Sequence, residues 1–141
     1  MRWTWRRNRD AEPVGLDPDD PSLVLLVRAS DPAEADSAVL ARSGLDLGRP
    51  LVVRHHLVGL PDDHAVEQAG VVLAQTGYGV RPGPGSATAV LAVRSQLLTA
   101  LSLSQERSRM AGLAQRLGGD VDGWDAVGLA AEHPDAAALP G

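Results

Sequence analysis

Leu51-Val52-Val53-Arg54-His55-His56-Leu57-Val58-Gly59-Leu60-Pro61-Asp62-Asp63 decides how this chain folds. Residues 51–58 are rich in Val and Leu and bounded by Pro50 and Gly59, which reads as a strand. Successive strand side chains point to opposite faces. Leu51, Val53, His55 and Leu57 therefore share one face, and Val52, Arg54, His56 and Val58 the other. Pro61-Asp62-Asp63 starts a helix, with its acids at the positive end of the helix dipole. Ala65, Ala69, Val72, Leu73 and Thr76 trace the buried stripe, and Gly77 caps it.

Working outward toward the C-terminus, residues 78–81 read as a strand, and Pro82-Gly83-Pro84-Gly85 as the turn of a hairpin. Residues 88–94 form the return strand. Ser102 and Gln105 have capping-box spacing before a helix carrying Met110, Leu113, Ala114 and Leu117 in register. Gly118-Gly119 ends that helix, and residues 120–127 read as a last short strand or structured turn. The order from Leu51 is β-α-β-β-α-β, the ferredoxin-like arrangement.

Upstream, residues 22–28 are a short apolar run and read as an additional strand. Asp31-Pro32 is expected to open a helix with Ala35, Val39 and Leu40 on one face, stopped by Gly44. The expected fold is α/β, an α+β sandwich. Its ferredoxin-like core spans about 50–128 and follows an extra β-α unit. A single domain, 22–128, would lie between flexible tails at 1–21 and 129–141.

The 141 residues suit one domain. There is no Cys, which excludes disulfides, thiolate zinc sites and a Cys nucleophile. All 13 basic residues are Arg, which excludes a Schiff-base lysine and a P-loop lysine. There is no Phe, so the core must be built from Leu, Val and Ala. The net charge is −5, a poor basis for general nucleic-acid binding. Residues 11–36 hold seven acids and one Arg, whereas Arg2, Arg6, Arg7 and Arg9 crowd the N-terminus beside Trp3 and Trp5. That basic start has no apolar segment behind it, and no stretch approaches the ~20 residues of a membrane span. A soluble, cytoplasmic protein is expected.

His55-His56 is the first candidate for chemistry, but neighbours on a strand face opposite ways and do not easily share a metal. His55 reads as a hydrogen-bonded, half-core histidine and His56 as a surface residue of the sheet. Asp62-Asp63 is explained by helix capping, and Asp120, Asp122 and Asp125 have no partner base at a fixed spacing. Gly83-Pro84-Gly85 lacks the donor N–H groups of a phosphate cradle. Asp122-Gly123-Trp124 is different: the Asp-Gly turn fixes the ring's direction. Trp124 is then either a core plug or an anchor on a binding surface.

Together these features resemble the RraB family, regulators of ribonuclease E activity. Arg54-His55-His56-Leu57 after Gly44-Leu45-Asp46-Leu47-Gly48-Arg49-Pro50 resembles that family's His-containing first core strand. The helix running into Gly77-Tyr78-Gly79-Val80, the Leu113-Ala114 helix and the Asp122-Gly123-Trp124 turn follow in the family's order. The resemblance covers roughly residues 44–128. Val121 stands where an aromatic often precedes the turn, and the strand at 22–28 and the Trp/Arg start have no counterpart.

The resemblance implies a ferredoxin-like sandwich and a non-enzymatic protein without cofactor or metal. Its partner would be a ribonuclease E-type enzyme whose RNA cleavage it inhibits, with no direct nucleic-acid or membrane contact. The candidate partner-binding or motif residues are His55, His56, Tyr78, Asp122, Gly123 and Trp124. The alternative is a small RNA-binding or ligand-sensing domain, with Tyr78 and His56 on the sheet or Trp3 and Trp5 in the tail as stacking groups.

Overall fold

In chain order the elements are β1 (Val24–Ala29), α1 (Asp36–Ser43), β2 (Leu51–Val58), α2 (Asp63–Gln75), β3 (Gly79–Pro82), β4 (Val90–Gln96), α3 (Ala100–Arg116) and β5 (Asp120–Gly128). A 3-10 turn, Ala130–Glu132, follows. This computed structural model describes residues 15–136. All strand pairs are antiparallel, in the order β1-β5-β2-β4-β3. The molecule is an α+β sandwich, and from β2 onward its elements run β-α-β-β-α-β.

Strand alternation sorts the side chains into two layers. On one face of β2, Leu51, Val53 and Leu57 meet Val39 of α1, Ala65, Ala69 and Leu73 of α2, and Leu103, Met110 and Leu113 of α3. All three helices therefore cover this inner face. On the outer face, Val52, Leu91, Val93 and Val127 lie beneath Leu16, Leu23 and Leu25. The Leu16 N–H donates to Ser95 Oγ at 2.8 Å, and Arg81 grips Asp19 through two 2.8 Å bonds. Residues 15–23 thus close part of the outer face, where a flexible lead-in was expected. The Trp3/Trp5/Arg start lies outside the described residues.

Several boundaries differ from the sequence reading. Asp31 does not cap α1. Its Oδ1 accepts from the Ala33 N–H at 2.9 Å in a local turn, and the helix begins at Asp36. The capping box of α3 is Thr99 with Ser102, one turn earlier than the Ser102–Gln105 pair. Leu98 just before it is fully buried, which anchors the earlier start. The return strand begins at Val90, because Thr88 takes part in the connecting turn with Ser86. Gly83 N–H closes that turn on the Ala89 carbonyl at 2.8 Å. The last strand is nine residues long and central enough to pair with both β1 and β2. Residues 129–136, expected to fray, fold back and bury His133.

Candidate functional site

The two histidines of β2 each meet a buried carboxylate, on opposite faces of the sheet. On the inner face His55 Nε2 donates to Glu106 Oε1 at 3.1 Å. Tyr78 OH donates to the same oxygen at 2.9 Å, and Gln96 Nε2 to the other at 2.7 Å. Arg94 reaches Glu106 at 3.3 Å, and its guanidinium stands 4.3 Å from the Tyr78 ring centre. The His55 and Tyr78 rings meet edge-on. Burial pushes the Glu106 carboxyl up, but hydrogen bonds from His55, Gln96 and Tyr78 outweigh it and hold it down at about 2. The same burial, with Glu106 as acceptor, pushes Tyr78 up to about 12. Tyr78 therefore stays protonated as a donor.

On the outer face Asp125, 1% exposed, receives His56 Nε2 at 2.6 Å and Arg54 through two bonds of 2.6 and 3.1 Å. Arg28 adds a longer contact at 3.4 Å and also reaches Asp122 at 3.4 Å. Burial pushes Asp125 up, yet the His56 and Arg54 bonds and the Arg54 charge hold it below its ordinary value. His56 is 7% exposed. The surface position expected for it is corrected by Asp125, which draws the ring under Arg28.

The Asp122-Gly123-Trp124 turn joins these layers. β5 bulges there, so two of its residues oppose His56. Gly123 has φ +73°, and a Cβ on it would overlap the Ala29 carbonyl. Only glycine fits that bulge. The bulge sends Asp122 outward, 56% exposed, to pair with Arg28. It sends Trp124 inward, fully buried, where Nε1 donates to Asp36 Oδ1 at 3.2 Å. Arg107 donates to the same oxygen at 2.8 Å. Trp124 is thus the core plug of the two readings, and Asp122 is the exposed side chain of the motif.

His55 and Tyr78 are brought together, His56 joins Asp122 only through Arg28, and Trp124 belongs to a third group at the start of α1. Glu106, Asp36 and Arg107 were missed, and Asp125 was set aside for want of the partners it finds in His56 and Arg54. Glu106 had a signal: it sits on the apolar stripe Leu103, Met110, Leu113 of α3, where a charge demands partners. Asp125 is an acid between Trp124 and Ala126 in a strand, which calls for cations on the neighbouring strands. Every carboxylate oxygen in both clusters is occupied by donors, so the arrangement braces β2 from its two sides.

A family model described as RraB, regulator of ribonuclease activity B, matches residues 34–126. The chain belongs to the RraB family. No curated protein and no solved structure matches it. The RraB segment contains both carboxylate clusters and the whole Asp122-Gly123-Trp124 turn, but not Arg28. It leaves out β1 and everything after Ala126. An RraB domain thus supplies α1 through most of β5 here, and residues on either side of it add an edge strand and a C-terminal turn. The family's described role is regulation of ribonuclease activity. No helix among the described residues is long and apolar enough to cross a membrane.

Proposed function

We propose that this protein is a non-catalytic cytoplasmic regulator that binds a ribonuclease E-type endoribonuclease and lowers its cleavage of RNA. The observation that carries this reading is the family match across α1 to β5. Two features support it. The titratable groups of the motif are held in donor-saturated pairs that suit a rigid binding scaffold. The net charge of −5 suits a partner surface built to attract RNA. Asp122 is the motif residue that reaches a partner; His55, His56, Tyr78, Gly123 and Trp124 position the strands that carry it.

The RNA-binding alternative loses its sheet-borne stacking groups, because Tyr78 is buried beneath α3 and His56 beneath Arg28. The test titrates the full chain into a ribonuclease E cleavage reaction on a fluorescent RNA, beside a pull-down treated with nuclease. Dose-dependent inhibition with RNA-independent capture of the enzyme is expected. Unchanged cleavage with no capture, or cleavage of RNA by the chain itself, would overturn the reading.

A further inference from the structure

The segment after β5 crosses back over the loop between α1 and β2. Gly44 ends α1 at φ +71°, and a Cβ there would overlap the Asp135 carbonyl. Arg49 pairs with Glu132 at 3.7 Å. Ala136 packs against the cluster that contains Leu26, Val39 and Leu51. His133, 1% exposed, is the centre of this contact. Its Nδ1 accepts the Asp46 backbone N–H at 3.0 Å. Its Nε2 lies against Gly128 beside Leu26 and Leu51, buried and without a hydrogen-bond partner among the described residues.

This geometry admits one state of the ring. A backbone N–H donates to Nδ1, so Nδ1 must carry a lone pair, and the imidazole is neutral with its proton on Nε2. Protonation would place an N–H on Nδ1 facing the Asp46 N–H. It would also set a charge against Gly128, Leu26 and Leu51, none of which offers an acceptor side chain. The charged groups nearby are Glu132 and Asp135 on the segment itself, and Asp46 and Arg49 on the loop. Arg49 faces both Asp46, at 4.0 Å, and Glu132, at 3.7 Å, which offsets their pull on a proton at His133, although Glu132 Oε1 is buried without a hydrogen-bond partner among the described residues.

We propose that residues 129–136 form an acid-releasable strap, latched by neutral His133 on the Asp46 amide, that opens when His133 takes up a proton. Burial lowers the His133 pKa from its ordinary 6.5, Glu132 and Asp46 work against that, and Arg49 adds to it. A released imidazole therefore binds a proton more readily than a docked one. The contribution of His133 to docking is therefore complete above the released value of 6.5 and is lost as pH falls from there through the lowered docked value. The strap lies wholly beyond the matched family segment, so the device would belong to this chain's own extension of the fold. Release would uncover the end of α1 and the apolar side chains around Leu26 and Leu51.

The test is an NMR titration of the full-length, isotope-labelled protein from about pH 7.5 to about pH 5, a range in which histidine is the side chain that changes charge. At the upper end the His133 ring should show an unprotonated, accepting Nδ1. The amides of residues 129–136 and of Asp46 should then leave their docked positions with one midpoint, shared with the His133 ring, while the β2–β4 amides stay in place. His133→Asn keeps an acceptor for the Asp46 N–H without a titrating group, and should remain docked throughout. Strap amides that do not move in the native chain would overturn the proposal. So would a midpoint that differs from that of the His133 ring, or an acid release of unchanged midpoint in His133→Asn. Should His133→Asn be undocked at every pH, the native titration decides alone by whether the two midpoints coincide.

Discussion

Asp125, Trp124 and Asp122 are near neighbours in sequence and have three different physical situations, so their substitutions should separate cleanly. Asp125→Ala removes the acceptor shared by His56 and Arg54 and leaves two donors with no partner. Breaking one side of a buried ion pair costs about 3–5 kcal/mol. The lower end applies here, because the Arg54 side chain is 31% exposed and water partly replaces the carboxylate. Trp124→Ala removes the largest fully buried side chain, leaves a cavity and takes one of the two donors from Asp36 Oδ1, for about 3–5 kcal/mol. Asp122→Ala loses a 3.4 Å contact at the surface and should stay within about 0.5 kcal/mol. Urea unfolding of the three variants checks this order. Under the proposed function Asp122→Ala should nonetheless weaken capture of the ribonuclease, which separates binding from folding. The carboxylates also set an acid limit. Glu106 has a folded value of about 2 against an ordinary 4.5, so the unfolded chain binds its proton first. Its stabilising contribution is complete above 4.5 and disappears as pH falls toward 2; Glu106→Gln should flatten the pH dependence of the melting temperature in that window.

At the scale of elements, what the sequence made legible was periodicity, and what it hid was the choice between competing local signals. The strand at Leu51–Val58 shows itself as a Val- and Leu-rich run bounded by Pro50 and Gly59, and α2 shows its stripe and its Asp62 cap. The starts of α1 and α3 were not legible in the same way. Asp31 and Asp36 are both acids near Pro32, and only burial of Asp36 under Trp124 and Arg107 selects the later start. Thr99, Ser102 and Gln105 offer two overlapping boxes, and the buried Leu98 selects the first. Thr99→Ala should therefore cost about 1 kcal/mol, as loss of an N-cap does. Gln105→Ala, on the exposed side of α3, should be near neutral, within about 0.5 kcal/mol. Equal losses from both would return the helix start to Ser102. The partners of the site histidines were hidden for a different reason. Glu106 is 51 residues from His55 and Asp125 is 69 from His56, so the pairs exist only once the sheet order is known.

For the whole molecule, charge is the property that reaches beyond the fold. The net charge of −5 arises from 18 acids against 13 arginines, and the arginines nearest the motif are already paired: Arg28 with Asp122 and Asp125, Arg54 with Asp125, Arg107 with Asp36. The field that a distant partner meets is therefore acidic. An RNA chain would be repelled by it, whereas an RNA-attracting protein surface would be drawn in. Salt discriminates between these situations. The screening length shrinks from about 10 Å at 0.1 M salt to about 3 Å at 1 M. Steered association should slow steeply over that range, while dissociation, governed by contacts already made, should change less. Under the proposed function, surface-plasmon kinetics of the full chain on immobilised ribonuclease E, run across that salt series, would read the two rates apart. A loss of affinity carried by the association rate is the expected outcome. An affinity indifferent to salt would move recognition from the acidic surface to exposed apolar side chains, of which Leu101 on α3, at 68% exposure, is the most prominent among the described residues.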